Sequence, residues 1–158
     1  NIKKDKIVIL SGPSHAEDVF NKQPTAIVSA CIDIDNCVKI QNLFSNRYFR
    51  VYTSIDAIGV EIGGAVKNII ALSAGISQGL GLGDNAIAAL VTRGLQEIIR
   101  FGVYWGADAK TFSGLSGIGD LMVTCYSLHS RNRNVGYMIG KGKSITKILS
   151  DMNKREQY

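Results

Sequence analysis

Apolar positions along this chain recur with two different periods, and the change falls near residue 54. Before it, short β-branched runs alternate with amphipathic stretches. Strands are predicted over residues 6–10, 25–30 and 49–53, with a short helix after Ser14 and an amphipathic helix over 35–44. Ser14, three residues ahead of Glu17, has the form of a capping box, and Pro24 is the expected stop of that first helix. Strands alternating with helices specify an α/β architecture.

From Ser54 onward only the helical period remains. In the first long helix Ile58, Ile62, Val66, Ile69, Ile70, Leu72, Ile76 and Leu80 form one apolar stripe, and Lys67 stands opposite among Gly63, Gly64, Ala71, Ala74 and Gln78. Adjacent glycines inside a helix cost about 1 kcal/mol each relative to alanine. Two readings account for that cost: close packing of another backbone against the small residues, or space for a ligand beside the lysine. The glycine-rich segment 79–83 ends this helix, and Asp84 or Asn85 is the expected cap of the next. That second helix buries Ile87, Leu90, Val91, Leu95, Ile98, Phe101 and Trp105 and turns Arg93, Glu97 and Arg100 to the other side. A glycine-rich turn over 113–120 follows, then short helices from Asp120, Ser130 and Ser144.

The 158 residues, 46% hydrophobic and 20% charged, describe an ordinary folded domain or a small pair and exclude disorder as the default. A net charge of +5 raises the question of nucleic acid. The basic residues, Lys3, Lys4, Lys6, Arg47, Arg50, Arg93 and Lys141 among them, are scattered rather than interleaved with stacking aromatics, so a solvated surface or an anionic small substrate fits better than nucleic acid. The longest uncharged run, residues 68–83, is too short to cross a bilayer and gives no reason to expect a membrane partner. Cys31, Cys37 and Cys125 have no metal-ligand spacing and read as reduced thiols; His15 and His129 are too isolated for a zinc site and read as surface or loop residues, so no metal is expected.

Three features carry candidate chemistry. A lysine on an otherwise uncharged face is expensive to desolvate unless it is paired or reactive, and a confined ammonium is suited to acid–base work. Gly117-Ile118-Gly119-Asp120 lacks the spacing of a nucleotide fingerprint; its glycines read as turn formers, and Asp120 as an N-cap or as the partner of a buried lysine. Ser130-Arg131-Asn132-Arg133 places a serine cap and an arginine at a helix start, the elements of an anion site, with an exposed basic turn as the alternative.

Ser11-Gly12-Pro13-Ser14, Gly63 to Asn68, Thr92-Arg93-Gly94-Leu95, Gly117-Ile118-Gly119-Asp120-Leu121 and Ser130-Arg131-Asn132-Arg133, in that order, resemble bacterial-type NAD(P)-dependent glycerol-3-phosphate dehydrogenase over roughly residues 7–144. The resemblance implies that residues 1–53 are the end of a Rossmann-type cofactor domain and 54–158 most of a helical substrate domain of the 6-phosphogluconate dehydrogenase C-terminal-like type. It implies Lys67 as the proton-transfer residue, and Gly12, Ser14, Lys67, Asn68, Asp120, Thr124, Ser130, Arg131 and Asn132 as substrate contacts. Ala16 and Arg131 are implied as contacts to NAD or NADP.

The implied reaction is hydride transfer between NAD(P)H and dihydroxyacetone phosphate, in the cytoplasm, toward glycerophospholipid synthesis. The family's glycine-rich turn, a second substrate lysine and a later Val-x-Glu-Gly segment have no counterpart in these residues. By resemblance the chain is a middle-to-late portion that lacks the dinucleotide-binding half and, alone, is expected to be inactive. Alternatives are another β-hydroxyacid dehydrogenase, in which lysine and asparagine stand a helical turn apart rather than adjacent as Lys67 and Asn68 are, and a non-catalytic helical module for assembly or anion binding. A homodimer is left open.

Overall fold

Three strands and seven helices are built from these two sequence patterns in a computed structural model that describes residues 6–155. Lys3 and Lys4 lie outside the described residues. Strand β1 (Ile9–Ser11) leads through α1 (Ala16–Phe20) to β2 (Thr25–Ala30), α2 (Ile34–Phe44) and β3 (Phe49–Ser54). The sheet order is β1-β2-β3. β2 and β3 pair in parallel from Thr25↔Phe49 to Ala30↔Ser54, as a β-α-β crossover requires, whereas β1 returns antiparallel with Ile9 opposite Ala30. Helix α2 starts where the Asp33 side chain accepts the Asp35 N–H, and Gln41 ties it to β3 by donating to the Val51 carbonyl at 2.7 Å. The first strand is thus shorter than the sequence predicts.

The capping expectation at α1 fails. Ser14 Oγ donates to the Gly12 carbonyl at 3.1 Å, the N-cap position belongs to His15, and no side chain caps the helix. The helix stops at Phe20, ahead of Pro24, and Lys22 takes a left-handed conformation (φ 56°) in the turn that follows. Ser14 instead stays with the tight turn after β1, where Gly12 (φ +143°) lies so close to the sheet that a Cβ would sit 2.9 Å from Ile27 Cα.

Helix α3 (Ala57–Gly79) is the axis of the remainder, and α4 (Gly83–Tyr104), α5 (Asp120–Tyr126) and α6 (Arg131–Gly140) pack around it, with α7 (Ile145–Arg155) against α6. By length and composition α3 could cross a bilayer, but here it runs among these helices and only five of its residues are exposed: Ile58, Glu61, Ala65, Ile69 and Gln78. The buried face differs from the one the apolar stripe predicts. Its fully buried residues are Gly59, Val60, Gly63, Ala71, Ala74, Gly75 and Gly79, while Ile58, Ile69 and Leu80 are exposed.

The reason is backbone contact. A Cβ on Gly75 would lie 2.0 Å from the Arg133 carbonyl oxygen, one on Gly136 2.0 Å from that of Leu72, and one on Gly140 2.4 Å from that of Ile76. Two glycine-spaced helices therefore cross with their main chains touching, which no larger residue permits.

The second long helix begins at Gly83, with no side-chain cap from Asp84 or Asn85. Its inner face carries Ile87, Val91, Gly94, Ile98 and Gly102, with Leu90 and Leu95 at the margin of the core around Phe112 and Leu121. Phe101 and Trp105, expected inside, are 47% and 58% exposed. Gly102 explains the shift, because the Phe112 ring occupies the space where its side chain would be, 2.2 Å from an added Cβ. Glu97 and Arg100 pair on the outer face, as the spacing predicts.

All three thiols are buried. Burial pushes the Cys37 thiol up, and lifts that of Cys125 to about 11. A raised pKa leaves less thiolate, the reactive form, at any pH below it. Iodoacetamide at pH 8 is therefore expected to label Cys125 slowly in the native chain and rapidly in denaturant; mass spectrometry of alkylated peptides reads this directly. Equal rates in both conditions would contradict the burial.

Candidate active site

Lys67 lies midway along α3, and a series of local contacts brings a carboxylate to it. Asp56 caps α3 by accepting the Gly59 N–H at 2.9 Å; its other oxygen accepts from Thr111 Oγ1 at 2.6 Å and the Asp108 N–H at 3.0 Å. This anchors the 3₁₀ turn Ala109–Ser113 beside the start of α3. The chain then runs through a single π-helical turn, Leu115–Gly119, whose Ser116 carbonyl rests on Gly63: a Cβ there would meet it at 2.4 Å. Gly117 is equally constrained, since its Cβ would lie 2.1 Å from the Phe112 carbonyl oxygen. In the Gly117-Ile118-Gly119 turn Gly117 thus permits close packing as well as turning, and the turn delivers Asp120 opposite Lys67.

Lys67 Nζ donates to Asp120 Oδ2. The lysine side chain is 21% exposed and that of Asp120 only 4%, so the carboxylate is at the protein side of the pair and the ammonium at the open side. Thr124, one helical turn on, donates its hydroxyl to the Asp120 carbonyl at 2.5 Å and is also buried. On the third side stands the start of α6, where Ser130 Oγ accepts the Arg133 N–H at 3.3 Å as a true N-cap, leaving Arg131 and Asn132 on the first turn.

These groups enclose a cleft of about 380 Å³ lined by Gly12, Ser14, Gly64, Lys67, Asn68, Asp120, Thr124, Ser130, Arg131 and Asn132. Every substrate contact implied by the resemblance is therefore in one place. Ala16 is not: it begins α1 just outside the cleft. The two readings of the paired glycines divide between them, with Gly63 under the π-helical turn and Gly64 on the cleft wall, where an added Cβ would meet Ser11 Oγ at 3.0 Å. Val123 and both histidines also line the cleft, and the sequence reading missed them. The sequence does place His15 beside Ser14 and His129 beside Ser130, which was the available signal. Arg133, by contrast, is buried away from the cleft and donates to Gln78 and Asn134.

A pocket with a lysine–aspartate pair on one wall and a capped helix start carrying arginine on another suits a small anionic substrate whose oxygen changes charge during reaction. Comparison with known proteins agrees with that class. Residues 56–157 match the family model described as the NAD-dependent glycerol-3-phosphate dehydrogenase C-terminus, and residues 1–37 match that of its N-terminus. The chain belongs to the NAD-dependent glycerol-3-phosphate dehydrogenase family.

A glycerol-3-phosphate dehydrogenase (NAD(P)+) of Lysinibacillus sphaericus is 59% identical over 150 residues, which are 95% of this chain and 44% of that protein. The corresponding Bacillus cereus protein is 57% identical over 152 residues, 96% of this chain and 44% of its own length. A crystal structure of glycerol-3-phosphate dehydrogenase from Coxiella burnetii superposes with a TM-score of 0.89 at 41% identity, over 92% of this chain and 45% of that one. The chain thus spans a little under half the length of these relatives.

Proposed function

We propose that this chain carries the substrate-binding and proton-transfer part of an NAD(P)-dependent glycerol-3-phosphate dehydrogenase, with dihydroxyacetone phosphate and sn-glycerol 3-phosphate as its substrate pair. The observation that carries the reading is the Lys67–Asp120 pair facing the Ser130-capped start of α6 across one cleft. On this reading residues 1–53 close a dinucleotide-binding domain and 54–158 form the helical substrate domain. Reduced thiols and soluble substrates suit a cytoplasmic enzyme supplying glycerophospholipid synthesis. A homodimer is compatible with it.

Two donors that line the cleft, the Asn68 amide and the Arg131 guanidinium, fit the nicotinamide end of a dinucleotide. The 158 residues contain no glycine-rich turn for its pyrophosphate. Arg131 and the backbone at Ala16 would hold the near edge of the cofactor. When bound, NAD(P)H supplies the hydride.

The chain's own residues do the rest. Arg131, Ser130 and Asn132 take the phosphate at the α6 start, where backbone N–H groups and the helix dipole favour an anion. Gripping the phosphate fixes the substrate so that its C2 oxygen lies toward Lys67. Negative charge grows on that oxygen during reduction, and Lys67 Nζ both stabilises it and gives up the proton that quenches it. Asp120, buried and held near Thr124, keeps Nζ aimed and favours the charged form of Lys67, which regains its proton from solvent after the transfer.

The phosphate role is testable on Arg131. Arg131→Ala is expected to weaken glycerol 3-phosphate binding by about 1.5–3 kcal/mol, the scale of a charge-assisted hydrogen bond, and Arg131→Lys to restore only part because it lacks the planar fork. Calorimetric titration of the folded variants measures both. Unchanged affinity in Arg131→Ala would place phosphate recognition elsewhere.

A further inference from the structure

Arg133 stands two residues beyond Arg131 on α6, yet it is 6% exposed and does not line the cleft. Among the described residues no carboxylate pairs with it. Its partners are neutral. Nη1 donates to Asn134 Oδ1 at 2.9 Å, Nη2 donates to Gln78 Oε1, and the guanidinium carbon lies 5.8 Å from the centroid of the Tyr137 ring. Nε is shut off from solvent and has no hydrogen-bond partner. Burying a cation among neutral partners costs free energy that an apolar side chain of similar volume does not. The docking of α6 on α3 does not call for the side chain either, because main-chain contacts at Gly75, Gly136 and Gly140 hold those helices together. What the side chain adds is a bridge.

Gln78 and Lys67 both belong to α3, eleven residues or about three turns apart, and so lie on the same side of that helix. From Gln78 the bridge runs through Arg133 to Asn134, whose side-chain amide donates to the Leu128 carbonyl at 2.6 Å. Leu128 lies in the loop between α5 and α6, two residues before Ser130. We propose that Arg133 is a positioning residue: with Gln78 and Asn134 it fixes the loop before α6 to the lysine side of α3, and so sets Ser130 and Arg131 where one ligand can touch them and Lys67 together. This rests on the cleft being a phosphate-ester site. A guanidinium suits the task because its planar fork offers separate nitrogens to two acceptors, which a single ammonium does not. Two further bonds of the loop are internal: Ser127 accepts the His129 N–H through its hydroxyl at 3.1 Å and the Ser130 N–H through its carbonyl at 3.3 Å. They hold the shape of the loop rather than its place against α3. Without the bridge α6 stays docked through its glycines, while the phosphate-binding loop loses its tie to the helix that carries Lys67.

The experiment titrates the chain with sn-glycerol 3-phosphate by calorimetry, for the parent, R133M, R133K, Q78L, Q78L/R133M and R131A, with a thermal melt of each. R133M is expected to melt no lower than the parent, since methionine fills the space without a buried charge, while its affinity falls roughly tenfold, the scale of an ordinary hydrogen bond. Q78L, at an exposed position, cuts the same bridge without touching the buried site and is expected to lose as much. The double variant should lose no more than R133M alone, because both changes break one connection. R133K should recover only part. In a dehydrogenase of the relatives' length, R133M should raise KM for glycerol 3-phosphate and leave kcat near parental, because the Lys67–Asp120 pair is untouched. Parental affinity in R133M and Q78L, losses that multiply in the double variant, full recovery in R133K, or affinity that falls in both single variants only as far as their melting temperatures do, overturns the proposal and leaves the phosphate-ester reading intact. A parent chain that binds no better than R131A overturns both.

Discussion

Lys67→Ala, in a dehydrogenase of the relatives' length that carries these residues, is expected to lower kcat by roughly 10²–10⁴, the range for loss of a positioned acid or base. The loss should appear in kcat more than in KM, because the oxygen that Lys67 serves acquires its charge only on the way to the transition state. A cost in stability accompanies it. Asp120 is 4% exposed, so removing Lys67, its ion-pair partner, strands a buried carboxylate, a change worth up to about 3–5 kcal/mol unless the carboxylate takes up a proton. The added substitution Asp120→Asn relieves that penalty and is expected to recover stability without recovering turnover. Steady-state kinetics per folded molecule, with thermal melts of both variants, separate the two effects. Near-parental kcat in folded Lys67→Ala would remove Lys67 from the chemistry.

Gly136→Val is expected to have the largest effect on the fold itself. The Cβ it introduces would lie 2.0 Å from the Leu72 carbonyl oxygen and 3.0 Å from the Ile76 nitrogen, both main-chain atoms of α3 that have no rotamer through which to retreat. Helices α3 and α6 must then separate. Overpacking typically costs 1–3 kcal/mol and here exceeds about 3 kcal/mol, since two rigid backbones meet at Gly75, Gly136 and Gly140 together. Separation also carries Ser130, Arg131 and Asn132 away from Lys67, so glycerol 3-phosphate affinity should fall even in the molecules that stay folded. Urea unfolding gives the first quantity and ligand titration below the transition the second. By contrast Gly81 and Gly83, beside open space at φ +77°, should respond to alanine only through backbone strain. A Gly136→Val chain as stable as the parent would mean that the two helices do not touch as described.

Much of this molecule is set locally. The β2 run begins directly after Pro24, and α6 starts at Ser130 because a serine there can take the Arg133 N–H. Such signals lie within a few residues of each other, and so the strand-helix alternation and the change of period near residue 54 could be read before any coordinates, whereas the cleft residues came from the family resemblance and without Val123 and the two histidines. The caps expected of Ser14 and of Asp84 or Asn85 were not formed, because a side chain that can cap has other partners: Ser14 turns back to the Gly12 carbonyl.

What the sequence by itself determined is the order of elements and the chemical types gathered at each loop. Only the tertiary structure decided which face of α3 is inside, and with it the shape of the cleft. That helix is apolar nearly all round, so its periodicity carries little information about direction. The isoleucine stripe offers more transferable area, yet the glycine and alanine face wins because it lets two other segments lie directly on the helix backbone: the π-helical turn with Ser116 over Gly63, and α6 with Arg133 over Gly75 and Gly140 over Gly79. Those contacts set Asp120 against Lys67, Arg131 across from them, and His15 beside His129, pairs separated along the chain that no local pattern could join.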